Sequence, residues 1–181
     1  MLLKKITLKN FRQFKGVQSV EFATDPQKNV TVIMGENGSG KTTLAQAFTW
    51  CLYGVTDFKT QSVINLSYAN EMAIGESTTV YVELILTHKG IDYTIVKNQG
   101  YTKDRTGEVK AVSTQLVIHY KDRNGQTETV REAQTVGKIK EILPQELSRY
   151  FFFDGERIDK MSEDIQSGKS EEFANAVKRL L

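Results

Sequence analysis

The stretch "GENGSGKT", residues 35 to 42, sets Gly35, Gly40, Lys41 and Thr42 at the spacing G-x-x-x-x-G-K-[ST], and few local sequences restrict a fold as tightly. Glycines let successive backbone N–H groups turn inward as an anion nest, and a helix starting behind them adds its positive end. Gly35, Glu36, Asn37, Gly38, Ser39, Gly40, Lys41, Thr42 and Thr43 are therefore the candidate nucleotide cradle. Within it Lys41 reaches the β- and γ-phosphates as a point charge, the Thr42 hydroxyl ligates Mg²⁺, and Thr43 supports the α-phosphate side. The competing reading is a glycine-rich strand-to-helix turn that binds nothing. The flanks favour the site. "NVTVIM" (29 to 34) is short, β-branched and apolar, which predicts a strand buried on both faces. From Lys41 the pattern turns helical, with Leu44, Ala47, Phe48, Cys51 and Leu52 on one face and Gly54 as the stop.

The chain opens with β structure: "LKKITLKNF" alternates as a half-buried strand, and "VQSVEF" is its hairpin partner across the polar turn at 13 to 16. Residues 55 to 76 show no period and read as an irregular or partly helical insertion. Four β-rich runs follow, at 78 to 88, 92 to 99, 113 to 120 and 126 to 130, separated by Gly- and Asp-bearing turns, which is the pattern of an antiparallel meander. "TVGKIKEIL" gives a helix with Val136, Ile139, Ile142 and Leu143 on one face, closed by Pro144, and "QELSR" a second, short one. The tail from Gly168 is amphipathic, with Ser170 as N-cap, and it reaches Leu181 without a stop signal, which suggests a longer natural chain.

Composition narrows the function. At 181 residues one substantial core is expected, and a net charge of +2 does not by itself call for a polyanionic partner, so any DNA contact must come from local patches. A single cysteine, Cys51, excludes a disulfide framework and a Cys-based metal site, and reads as a buried thiol. The N-terminus lacks a signal-peptide pattern, and no apolar run is long enough to span a membrane; a cytoplasmic protein without membrane contact is the expectation.

A second constellation, "YFFFDGERI", places four aromatics before Asp154, with Glu156 two residues on. An apolar run ending in an acid has the form of a Walker B strand, whose carboxylate orders the magnesium shell while a nearby glutamate polarises water. Asp154 can instead end a strand outside the catalytic core and sense the γ-phosphate side. A third possibility is an aromatic core strand with a solvated Asp-Gly turn.

The order "ITLKNFRQFKG", "VEF", "VTVIMGENGSGKTTLAQAFTWCLYG" closely resembles the N-terminal lobe of the SMC, SbcC and RecF group of ABC-type ATPases, specifically over residues 1 to 54 and more loosely over the meander. "YFFFDGERI" is similar to the matching block of the DndD-like ATPases of DNA phosphorothioate (sulfur) modification and of phage-defence operons. The resemblance implies an α/β P-loop NTPase fold: an ABC-type head N-terminal lobe with a mixed sheet plus an antiparallel β-subdomain. Its parts would be a hairpin with the Walker A strand and helix (1 to 54), an insertion (55 to 76), the meander (77 to 131), helices with a Q-loop-like segment (132 to 168) and the start of a coiled-coil helix (169 to 181). The wider family usually carries Gln-Gly at the Q-loop, where this chain has Asp154-Gly155; a carboxylate there binds metal more directly than an amide. Arg12 of "NFR" would contact phosphate or ribose.

In these families a C-terminal lobe beyond a long coiled coil supplies the signature motif, Walker B, D-loop and switch histidine. None is recognisable here, and His88 and His119 fall in strand patterns. ATP and Mg²⁺ are the implied cofactors. Lys41, Asp154 and Glu156 are the candidate catalytic residues, with Thr42 and Asp154 as metal ligands. The implied partners are the chain's own C-terminal lobe, a second head engaged on ATP binding, DNA, and proteins of a modification or defence operon. "KTQ" (59 to 61), "KNQGYTKDR" (97 to 105) and "HYKDR" (119 to 123) are candidate DNA-facing stretches that read equally as solvated hairpin tips. Two other classes stay open. One is a self-contained small P-loop NTPase or kinase with Asp154 and Glu156 as Walker B, against which the β-meander argues. The other is a non-enzymatic module with ATP as structural glue.

Overall fold

A computed structural model of the chain describes residues 1–122 and 124–151. In chain order these form β1 (Leu2–Phe11), β2 (Phe14–Glu21), α1 (Lys41–Tyr53), α2 (Leu66–Glu71), β3 (Ser77–His88), β4 (Ile91–Lys103), β5 (Val109–Lys121), β6 (Thr127–Thr129), α3 (Glu132–Ile142) and α4 (Gln145–Phe151). The strands make one sheet in the order β2-β1-β3-β4-β5-β6, every neighbouring pair antiparallel. Among the described residues the sheet is thus antiparallel throughout, where a mixed sheet plus an antiparallel β-subdomain was expected. The reason lies in β1, which uses both edges: Ile6 pairs with Val20 of β2 on one side and with Leu84 of β3 on the other. Hairpin and meander are thereby joined into a single layer.

Period-2 alternation puts one side-chain set of each strand into the core. Ile6, Leu84, Ile95 and Ile118 lie opposite one another across four strands, and all four are fully buried. Such cross-strand rows are the stabilising unit of a sheet. Helix α1 lies against β3 and β4 over this face. Its Cys51 thiol points at the carbonyls of Val82, 3.4 Å away, and Ile95, 3.7 Å away, and burial pushes its pKa up to about 12, so it stays a protonated packing group. The helix ends as its sequence predicts: Gly54 takes φ 75°, and its N–H bonds to Trp50 O at 2.8 Å.

The meander is made of local turns. Lys89 and Gly90, both at positive φ, close a two-residue hairpin between His88 and Ile91. The tips at either end of β5 share one device. Asp104 Oδ1 accepts the N–H of Thr106 at 2.9 Å and of Glu108 at 3.0 Å, and Asp122 Oδ1 accepts those of Asn124 at 2.9 Å and Gln126 at 2.8 Å. An aspartate that gathers backbone donors in this way closes the turn and leaves the glycine three residues on free to take positive φ. The Lys110 ammonium beside it, then the Thr106 hydroxyl and these backbone bonds, hold the Asp104 carboxyl below its ordinary pKa.

The insertion at 55 to 76 carries α2, capped at its start by Asn65, whose Oδ1 accepts Tyr68 N–H at 2.9 Å. At its end Lys103 donates to the carbonyls of Asn70 at 3.1 Å and Met72 at 2.9 Å. Helix α3 begins at Glu132 and buries Thr135, Ile139 and Ile142, while Val136 is 63% exposed, because a face through 135, 139 and 142 turns 136 away from the sheet. No helix among the described residues is long and apolar enough to cross a membrane.

The largest difference concerns residues 29 to 34. Among the described residues no strand lies between β2 and α1, and Val30, Val32 and Met34 are 78%, 74% and 88% exposed. A strand buried on both faces needs strands or helices around it, and among the described residues no strand pairs with 29 to 34. Among the described residues the segment's side-chain bond runs from Ala23 N–H to Thr31 Oγ1 at 2.7 Å.

Candidate nucleotide site

Gly38 and Gly40 hold φ of 83° and 108°, in the left-handed region that a Cβ disfavours, and a Cβ on Gly35 would run into Ser39 Oγ. The glycines at these positions are thus required by the loop's own geometry. The Lys41 ammonium folds back over the loop and donates to Gly35 O at 2.6 Å and Glu36 O at 2.8 Å. These are weak partners for a full positive charge, and phosphate oxygens are stronger ones. Thr42 lies exposed on the first turn of α1, a turn that carries no carboxylate, so the positive end of the helix keeps its field. Glu36, Asn37 and Ser39 are exposed along the loop, while Thr43 is buried and its hydroxyl donates to Gln13 Oε1 at 2.7 Å.

The β1–β2 hairpin tip abuts this loop. Asn10 and Arg12 both adopt positive φ, 52° and 53°, an uncommon conformation for residues with side chains. It is held by Asn10 Oδ1 accepting Gly16 N–H at 2.7 Å, Arg12 N–H bonding to Val63 O at 2.8 Å and Asn65 N–H bonding to Asn10 O at 2.7 Å. The guanidinium of Arg12 has partners on the 55-to-76 segment. It donates to Thr60 Oγ1 and Ser62 O, each at 3.0 Å, and stacks 4.3 Å over the Phe58 ring. Gln13 and Phe14 meet the loop: a Cβ built on Gly40 would lie 2.8 Å from Phe14 Cζ and 3.1 Å from Gln13 Nε2. Neither residue type signals this role, and only their position beside "NFR" could have drawn attention to them.

Between hairpin and loop lies a cavity of about 240 Å³ walled by Leu8, Phe14, Ile33, Met34 and Leu44. It is smaller than the roughly 300–1,000 Å³ of small-molecule pockets, and it marks where the 29-to-34 segment leaves the packing unfinished. Asp154 and Glu156, like the tail from 169 to 181, lie outside the described residues. Among the described residues no group of three or more His, Cys, Asp or Glu could hold a metal ion. Two lysines of the candidate DNA-facing stretch 97 to 105 are used internally. Lys97 is half-buried, its ammonium 5.7 Å over the Trp50 ring and its pKa lowered by desolvation, and Lys103 caps α2.

The chain is similar to several known proteins. The chain is 26% identical over 113 residues to the SbcC component of the SbcCD nuclease of Clostridium acetobutylicum, a match covering 62% of this chain and 9% of that protein. It is 31% identical over 107 residues to the DNA double-strand break repair Rad50 ATPase of Methanocaldococcus jannaschii, covering 59% of this chain and 9% of that protein. The matched region thus spans about a tenth of the length of either relative. A solved SMC head domain from Thermotoga maritima aligns with a TM-score of 0.42 and 27% identity, covering 76% of this chain and 42% of that one. The model of the AAA domain family matches residues 5–181, nearly the whole sequence and the phosphate loop with it. ATP binding is the property that such a domain implies, and the chain belongs to the AAA domain family.

Proposed function

We propose that the chain is the ATP-binding N-terminal lobe of an SMC-like, DNA-associated ATPase of the DndD type, acting in DNA phosphorothioate modification or phage defence. The observation that supports the reading most is a phosphate loop with Lys41 folded over it beside an apolar segment open to solvent, as expected of a lobe that shares its site with another. Similarity to proteins named as a nuclease component and a break-repair ATPase supports work on DNA, and the "YFFFDGERI" block supports the DndD-like assignment.

In this reading the backbone N–H groups of Gly35 to Thr43 cradle the phosphates of ATP and Lys41 turns from the loop carbonyls to the β- and γ-oxygens. Thr42 and Asp154 hold Mg²⁺, which when bound neutralises charge on the β- and γ-phosphates. The exposed Thr42 hydroxyl and the acid-free first turn of α1 suit a metal that arrives with its nucleotide. Asp154 acts from the Q-loop position, with Glu156 two residues on as the second candidate catalytic carboxylate. Hydrolysis belongs to two engaged heads, each nucleotide lying between one lobe's phosphate loop and the partner head, and it drives their release.

The test is calorimetric Mg-ATP binding together with the steady-state ATPase rate of the chain. Binding without turnover is expected, and Lys41→Ala should weaken ATP affinity about tenfold or more, the loss of one strong phosphate contact. Turnover by these 181 residues alone that needs Glu156 would overturn the half-site reading and make the chain a self-contained enzyme.

A further inference from the structure

The hairpin tip contains more than a turn needs. Two non-glycine residues, Asn10 and Arg12, are held in the left-handed region by the surrounding hydrogen bonds, and strain of this kind persists only where the neighbouring structure enforces it. The side chains it aims at α1 are Gln13 and Phe14. Phe14 leaves no room for a Cβ on Gly40, and Gln13 accepts the proton of the buried Thr43 hydroxyl while its own amide nitrogen rests beside Gly40. Gln13 is solvent-exposed and makes this one hydrogen bond among the described residues, so it contributes little to holding the domain together.

We propose that Gln13 is a positioning residue for nucleotide binding: through Thr43 it fixes the Gly40-to-Thr43 turn in the conformation whose N–H groups receive the α-phosphate side of the nucleotide. The inference rests on the ATP-binding reading above and extends it to a residue outside the loop. A hydrogen bond from the Thr43 hydroxyl to an acceptor on another element sets the side-chain rotamer and ties the first helical turn to the hairpin, so less freedom remains to be lost when nucleotide arrives. Because Thr43 serves the α-phosphate side, loosening it penalises ADP and ATP alike. Loss of Lys41, which serves the β- and γ-phosphates, penalises ATP more.

The experiment compares Gln13→Ala, Gln13→Glu, Thr43→Val and the Gln13→Ala/Thr43→Val pair by calorimetry with Mg-ATP and Mg-ADP, alongside the thermal midpoint without nucleotide. Gln13→Ala should weaken both nucleotides equally, by about three- to tenfold, the range of one lost hydrogen bond, with the midpoint unchanged. The double variant should be no worse than Thr43→Val alone. Gln13→Glu keeps the acceptor for Thr43 but sets a carboxylate beside an anion site, and should bind more weakly than Gln13→Ala at the same midpoint. Wild-type affinity in Gln13→Ala, or an affinity loss that tracks a fall in midpoint, overturns the inference while leaving ATP binding intact. Absence of nucleotide binding in the unsubstituted chain, with Lys41→Ala no different, overturns the ATP reading and this inference together.

Discussion

Two runs of β-branched and apolar residues meet opposite fates. In "TTVYVELILTH" every second residue from Val80 to Leu86 is fully buried, between strands on either side and beneath α1; in "NVTVIM" Val30, Val32 and Met34 face solvent. The sequences are equally strand-like. What separates them is the neighbour: β3 finds β1 and β4, whereas 29 to 34 finds no strand among the described residues. β-propensity describes fitness for a pleated, half-buried surface, and the surface has to be supplied. The ATP loop follows the segment that lacks it.

That contrast can be broken most forcefully in the sheet. Ile95→Ala removes the centre of the four-strand row and should cost about 2–5 kcal/mol, read as a shift of the urea midpoint at constant slope. A smaller, pH-dependent effect belongs to His88 at the end of β3. The ring is 6% exposed, with both nitrogens buried and unpartnered among the described residues. Burial lowers its pKa first, helped by the N-terminus, Lys89 and Lys138 and opposed by Glu141. A base whose folded pKa lies below its free value of about 6.5 contributes full stability above that value and loses it as pH falls toward the folded one, because the unfolded chain takes up the proton first. Thermal midpoints should therefore drop with acidification below about pH 6.5, and His88→Leu should flatten this limb. The smallest effect is expected at Val32→Lys, within about 0.5 kcal/mol in this chain, since the side chain is already solvated. A cost like that of Ile95→Ala would mean that 29 to 34 is packed in solution and would erase the contrast.

Much of this was legible beforehand, and the exceptions share a cause. The phosphate loop, the start of α1 at Lys41, its stop at Gly54 and the meander strands follow from short-range rules of glycine, periodicity and turns. His88 and His119 both lie in strands, as their patterns indicate, and His119 Nδ1 meets Thr129 Oγ1 at 2.8 Å. Illegible were facts that depend on distant partners. The merging of hairpin and meander needed the β1–β3 pairing. The Lys97 and Lys103 ammonium groups looked solvated until Trp50 and α2 were brought beneath them. The contacts of Arg12 with Phe58, Thr60 and Ser62 likewise join residues some fifty positions apart. Asn65, in a stretch with no period, proved to be both a helix cap and a brace for the hairpin, a double duty that composition does not encode.

The pairing of β1 with β3 also sets the longest loop that the sheet closes. The meander closes through turns of a few residues, cheap in loop entropy, whereas joining Leu3 to Leu86 encloses most of the first half of the chain in one loop. The phosphate loop, α1 and the hairpin tip all lie inside that enclosure. The site's elements are thus tied to the meander through one long-range pairing, and a loss of β1 from the edge of β3 is expected to disturb the site more than the locally closed strands.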